Sequence, residues 1–301
     1  FFRLGDFYEM FDEDARTASR ELDLTLTTRD RSKDKDDETR VPMCGVPYHS
    51  SEAYIARLIA RGYKVAICEQ MEDPALAKGL VKREVTRLVT PGAVTESSML
   101  EESKNNYYAC VFAENGSFGV SFCDISTGAL CATCFTGGAA EESVCSELGA
   151  FSPAEVLLGG EALHAELLKN TLRERLRCCV DTATDEQFEE DMAAAALRVQ
   201  LGQTPDSLGM TDYPCAVRAV GALLRQLRRL QKNDLPQVRA LEFYMSGKFM
   251  GLDLTARRNL ELTQTLRSQE KRGSLLWVLD HTKTAMGGRL LRSWMERPLL
   301  S

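Results

Sequence analysis

Phe2-Arg3-Leu4-Gly5-Asp6-Phe7-Tyr8-Glu9-Met10-Phe11 is the stretch on which the reading of this 301-residue chain turns. Its residues from Phe2 to Glu9 suit a β-strand. Side chains on a strand alternate between faces, so Phe7 and Glu9 point one way and Tyr8 and Met10 the other. A ring and a carboxylate aimed together can stack on a flat heterocycle and also read its hydrogen-bonding edge. Tyr8, Met10 and Phe11 are expected in the core. A Phe-x-Glu triplet is common in proteins and decides nothing alone, so the reading depends on what surrounds it.

Outward from that stretch, the first hundred residues predict a small mixed domain. Phe11 to Leu24 has apolar residues at helical spacing behind an acidic first turn. Arg29 to Arg40 (RDRSKDKDDETR) has no apolar residue and predicts an exposed, mobile loop. Ser50 and Ser51 are N-cap candidates for a helix to Ala60, with Gly62 as its stop. Lys64 to Gln70 and Val85 to Thr90 predict strands, the second closed by Pro91-Gly92. A polar linker over Glu101 to Asn106 precedes a hairpin, Tyr107 to Phe112 and Ser117 to Ile125, turning at Asn115-Gly116. Strands at Cys131 to Phe135 and Ala154 to Gly159 follow, interleaved with helices, which points to an α/β sheet. Ala216 to Gln231 is a long amphipathic helix. From Asp234 the pattern is mostly helical, apart from an extended piece near Val238 to Tyr244.

Composition narrows the classes. Hydrophobic residues make up 44% and charged residues 27%, as in a globular chain with two or three domains. No apolar run reaches the roughly 20 residues of a membrane-spanning helix. No signal-peptide pattern is read at Phe1-Phe2-Arg3-Leu4, and Phe1 is no initiator, so the chain reads as an internal piece of a longer polypeptide. The ten cysteines are scattered through strand-like segments and read as reduced, buried thiols. Cys131-x-x-Cys134 has no second ligand pair close by to complete a zinc site. Net charge is −7, which argues against indiscriminate nucleic-acid binding. Acidic residues dominate Glu141 to Asp191. Basic ones dominate the end, among them Arg257, Arg258, Arg289, Arg292 and Arg297, and are expected on solvated helix faces.

Five blocks carry a resemblance. They are the opening stretch; Val41 to His49 (VPMCGVPYH) with Val65 to Gln70 (VAICEQ); Arg83 to Gly92 (REVTRLVTPG); Leu254 to Leu262 (LTARRNLEL); and Met286 to Leu291 (MGGRLL). In that order they resemble an N-terminal fragment of the bacterial MutS family of DNA mismatch-repair proteins. The resemblance implies an α/β and α+β multidomain fold. Residues 1–102 would be a mismatch-recognition domain, 103–232 a connector with a ribonuclease-H-like fold, and 233–301 the start of a mainly helical core domain. It implies recognition of base–base mismatches and small insertion/deletion loops in double-stranded DNA. Phe7 would enter beside the mispaired base from the minor groove, and Glu9 would hydrogen-bond that base. Arg29 and Arg83 would lie near the DNA backbone, and Met43 near the minor groove beside the wedge.

The resemblance also implies a homodimer, a downstream MutL partner, a cytoplasmic location near the nucleoid, and an ATPase using ATP and magnesium. No Gly-x-x-x-x-Gly-Lys-[Ser/Thr] occurs in this sequence, so that ATPase is expected outside it, and neither cofactor nor metal site is expected within it. Two other readings stand beside this one. A MutS relative could bind structures such as recombination junctions, although relatives of that kind lack the Phe-x-Glu signature. A ribonuclease-H-like nuclease would use Asp124, but metal-assisted hydrolysis needs several convergent carboxylates and no partners can be nominated. Asp124 before Ser126-Thr127-Gly128 fits a turn better.

Overall fold

Gly5 divides the opening stretch into two strands where a single one is expected. The computed structural model describes residues 1–28, 41–72 and 81–300. Strand β1 (Phe2–Leu4) turns back as β2 (Phe7–Phe11). Leu4 pairs with Phe7, so the loop is the dipeptide Gly5-Asp6, with Gly5 at φ +60°. Positive φ at the first loop residue matches the twist of a tight hairpin, and glycine adopts it without a Cβ clash. Helix α1 (Asp12–Leu22) follows, then β3 (Thr27–Thr28), β4 (Pro42–Pro47), α2 (Ser51–Ala60), β5 (Val65–Gln70) and β6 (Arg83–Val89). These strands form one sheet in the order β3-β4-β2-β1-β5-β6. The loop expected at Arg29 to Arg40 lies outside the described residues.

Helices α1 and α2 pack on the sheet face that carries Tyr8, Met10, Cys44 and Val46, all buried. Ala15, Ala18 and Leu22 of α1 and Ile55, Leu58 and Ile59 of α2 are the apolar stripes that meet it. Gly62, at φ +83°, ends α2 as expected. The two serines act differently. A 3-10 turn over Tyr48–Ser50 runs into α2, leaving Ser50 without the extended backbone that capping requires. The hydroxyls of Ser50 and Ser51 donate backward to the carbonyls of Pro47 and Tyr48.

The chain divides into two compact units, Phe1–Pro91 with Leu230–Asn233, and Gly92–Arg229 with Asp234–Ser301. The second unit is built on strands β7 (Tyr108–Glu114), β8 (Ser117–Asp124) and β9 (Ala129–Thr136), paired antiparallel. Asn115 and Gly116, at φ +51° and +70°, make the expected turn between β7 and β8. Then come α3 (Ala140–Phe151), β10 (Glu155–Gly160), α4 (Glu166–Asn170), β11 (Cys179–Thr182), α5 (Glu190–Leu201), α6 (Pro214–Gln231) and β12 (Glu242–Phe243). The sheet order is β11-β10-β7-β8-β9-β12, with the last-named three of the chain, β10, β11 and β12, added in parallel.

Helix α3 covers one face, through Val144, Leu148 and Phe151. Helix α6 covers the other: Ser121 Oγ donates to Ala219 O at 3.0 Å, and a Cβ on Gly119 would collide with the Cys215 carbonyl. With both faces covered, β7 reads as an unbroken buried run. The two mixed sheets with their helices fit the expected α/β and α+β class.

Beyond Asp234 the expectation of a mostly helical segment is too strong. Among the described residues α-helix forms there only in α7 (Leu254–Asn259), α8 (Leu275–Leu279) and α9 (Ala285–Glu296), begun by side-chain caps from Asp253, Ser274 and Thr284. Polar runs such as Thr263-Gln264-Thr265 and the positive-φ Gly273 interrupt the rest. The basic end also differs from a set of solvated faces. Arg292 is buried and its Nε donates to Glu296 Oε1 at 2.9 Å. Arg257 donates to the carbonyls of Leu252 and Glu296. The Arg297 guanidinium lies 4.6, 4.4 and 4.1 Å from the ring centres of Phe151, Tyr244 and Phe249, and 3.6 Å from Glu147. Guanidinium groups are weakly hydrated and stack on rings, which is why arginine tolerates such a place.

Candidate nucleic-acid interface

The opposite face of the first sheet is where the residues singled out from sequence converge. Alternation on β2 buries Tyr8 and Met10 and leaves Phe7 47% exposed, with Glu9 and Phe11 half-buried beside it. Strand register assigns their neighbours: Phe7 faces Leu4 and Pro47, Glu9 faces Phe2 and Gly45, and Phe11 faces Met43. Phe2 is 44% exposed, and its ring centre lies 6.0 Å from that of Phe11. Among the described residues, α1 and α2 contact the strands from the Tyr8 side. Phe7, Glu9 and Met43 therefore share one half-open, apolar face interrupted by a single carboxylate.

Behind that face the strand is held firmly. The Tyr8 hydroxyl donates to Glu69 Oε1, and burial together with this bond pushes the phenol pKa above its ordinary value. The Arg3 guanidinium covers the Tyr48 ring at 3.3 Å and lies 5.8 Å from the Tyr8 ring. Cys44 Sγ, on β4, donates to the Ala15 carbonyl of α1. Such packing fixes β2 between two hydrogen-bonded neighbours, so the exposed ring of Phe7 sits on a rigid base.

Arg83 is placed elsewhere. It opens the edge strand β6 and its Nε and Nη1 donate to the carbonyls of Arg3 and Val81, at 3.1 and 3.0 Å. Arg29 lies outside the described residues. Phe11 is a correction to the expected core: it has the parity of Phe7 and Glu9, and its ring meets Phe2 on the open face. Counting the alternation two residues further would have found it. Phe2 and Gly45 were missed because their membership depends on cross-strand register, which no local pattern displays.

Asp124 has a clear structural task. Its Oδ1 accepts from Ser126 N, Ser126 Oγ and Thr127 N, and its Oδ2 from Asn105 Nδ2 and Asn106 N. It thus ties the turn after β8 to the linker before β7, as the turn reading predicts. Among the described residues no group of three or more His, Cys, Asp or Glu is placed to hold a metal ion. All ten cysteines are free thiols, and burial pushes Cys134 up to about 11 and Cys178 up to about 12, which disfavours the thiolate. Among the described residues no helix is long and apolar enough to cross a membrane.

Family models for MutS domain I, MutS domain II and MutS domain III match residues 1–98, 106–239 and 255–301 in turn. The chain belongs to the MutS family. It is 47% identical over 301 residues to the DNA mismatch repair protein MutS of Acetivibrio thermocellus, 48% to that of Pelotomaculum thermopropionicum and 46% to that of Symbiobacterium thermophilum. Each comparison covers 100% of this chain and 34% of the relative, so the chain spans about a third of their length. The open face with Phe7, Glu9, Met43 and Gly45 falls within the MutS domain I match, and Asp124 within that of MutS domain II.

Proposed function

We propose that this chain recognises base–base mismatches and small insertion/deletion loops in double-stranded DNA, as the first step of mismatch repair. Residues 1–102 serve as the mismatch-recognition domain, 103–232 as the connector and 233–301 as the opening of the core domain. The observation that carries the reading is Phe7, nearly half exposed on a rigid strand with Glu9 on the same face. A mispaired base is already poorly stacked, so inserting a ring from the minor groove costs less there than at a Watson–Crick step. Stacking on an aromatic side chain is worth about 1–3 kcal/mol per base and tolerates every base identity. Glu9 contributes discrimination, since a carboxylate near phosphates opposes overall affinity while accepting hydrogen bonds from a base edge. Met43, on the same face, presses on the minor groove. Arg83 orders the sheet edge through its carbonyl contacts and takes a secondary part in holding the DNA backbone, with Arg29.

The ATPase with its ATP and magnesium belongs, on this reading, to parts of a MutS-length protein outside these residues. The same holds for the homodimer, with MutL as the downstream partner and the cytoplasm as the location. The test replaces the matching 301 residues of Acetivibrio thermocellus MutS by this chain. Fluorescence anisotropy at fixed salt then compares duplexes with and without one G·T mismatch. The chimera should prefer the mismatch, and Phe7→Ala should remove about a tenfold or larger preference. No preference, or one that survives Phe7→Ala, overturns the reading. Preferred binding to a four-way junction would put the structure-specific relative in its place.

A further inference from the structure

Glu9 stands in a cross-strand row whose two other members differ in every respect. On β1 its partner is Phe2, an aromatic ring that packs against Phe11. On β4 its partner is Gly45, which has no side chain at all. The row therefore reads ring, carboxylate, vacancy, and space beside the carboxylate exists on the Gly45 side alone of the two.

The backbone does not demand glycine there. Gly45 lies outside the left-handed region, in a regular stretch of β4, unlike Gly5 or Gly62. Space is the remaining reason. A Cβ at this position would lie 3.5 Å from Glu9 Cγ and 3.2 Å from the Tyr8 carbonyl oxygen. The first contact is ordinary packing; the second is close enough to make the strand yield slightly. Alanine would require the strand to give by a few tenths of an ångström, and its methyl would lie against the carboxylate side chain.

We infer that Gly45 is a specificity-determining residue, forming the floor of a shallow pocket in which the hydrogen-bonding edge of a displaced base meets Glu9. This inference rests on the proposed role of Phe7 and Glu9. Its chemistry is that of a polar base edge over a carboxylate, with the Phe2 ring paired beside it on β1 and a glycine paired beside it on β4. Neighbours across a strand pair stand about 4.5–5.5 Å apart, so a methyl at Gly45 occupies the depth a base edge would use. Phe7 remains free to insert when Gly45 changes, because it pairs with Pro47, two positions along β4. The residue therefore separates discrimination from insertion.

The experiment uses the same chimera and the same duplexes, with Gly45→Ala, Glu9→Ala, the double variant and Phe7→Ala measured together. Gly45→Ala should lower the ratio of mismatch to fully paired binding by about tenfold, the scale of one good base-edge contact. Binding to the fully paired duplex should stay within about twofold, as it depends on phosphate contacts. In the Glu9→Ala background Gly45→Ala should add nothing, since there is then no carboxylate to obstruct. An undiminished ratio in Gly45→Ala, with Phe7→Ala abolishing preference, overturns the Gly45 role alone. Equal weakening on both duplexes, or a further loss in the Glu9→Ala background, shows a merely structural role and also overturns it. Preference that survives Phe7→Ala removes the underlying reading instead. Thermal unfolding by circular dichroism on each variant identifies any that fails to fold; for such a failure at Gly45→Ala, Gly45→Ser serves as the second variant, with the same expected ratio.

Discussion

The two sheets of this protein are each rich in aromatic residues and use them in opposite ways. In the second unit the rings of Phe122 and Phe151 stack with centres 3.8 Å apart and planes within 8°, and Tyr107 meets both edge-on. Helices α3 and α6 close over that sheet from either side, and Phe122 is fully buried. In the first unit Phe2, Phe7 and Phe11 share one face, where Phe2 and Phe7 are exposed and Phe11 is half-buried. A soluble protein seldom leaves such an apolar patch uncovered unless something else is to cover it. The contrast teaches that aromatic content does not mark the site. What sets the first face apart is that its rings stay exposed or half-buried on a well-paired strand.

That contrast makes a large prediction. Phe122→Ala removes a ring from a filled core and should cost about 3–5 kcal/mol of stability. Phe7→Ala removes an exposed ring and should change stability by less than about 0.5 kcal/mol while removing mismatch preference. Urea unfolding followed by circular dichroism compares the two. A Phe7→Ala chain destabilised as much as Phe122→Ala would mean the open face is core, and the comparison would collapse.

The next effect tests how the closed unit secures its last helix. Arg297 is enclosed by Phe151, Tyr244 and Phe249 and reaches Glu147. Arg297→Ala should cost about 2 kcal/mol, from lost ring contacts and a carboxylate left without its cation. Arg297→Lys should recover only part of that, because an ammonium cannot lie flat against three rings. Full recovery by lysine would show that charge alone holds the cage.

Much of this was readable in the residues, and the failures have physical causes. The Asn115-Gly116 hairpin and the apolar stretches within β7 and β10 are local signals, since turn chemistry and burial act within a few residues. The pairing of Phe7 with Glu9 followed from a period of two. Gly5-Asp6 is an equally local hairpin signal, which reading Phe2 to Glu9 as a single strand passes over. Gly45 beside Glu9 and Phe2 beside Phe11 depend on strands far apart in sequence, so pairing register had to be known first. Arg292 and Arg297 resembled exposed charges because sequence shows charge but not the rings and carboxylates gathered around it.

The smallest predicted effect concerns the reverse side of the open sheet. Tyr8 is buried behind Phe7 and Glu9, and its hydroxyl donates to Glu69. Tyr8→Phe keeps the ring and deletes the donor, which should lower stability by about 1.5 kcal/mol, the low end for a bond to a charged group. Mismatch preference should change by less than about twofold, within ordinary surface-level perturbation. The reason lies in the register: β2 is paired to β1 through Leu4 and Phe2 and to β4 along its whole length. Losing one side-chain tether leaves both ladders in place, so the wedge keeps its orientation. If Tyr8→Phe removed preference as fully as Phe7→Ala, the two faces would act as one, with the buried hydrogen bond aiming the exposed ring.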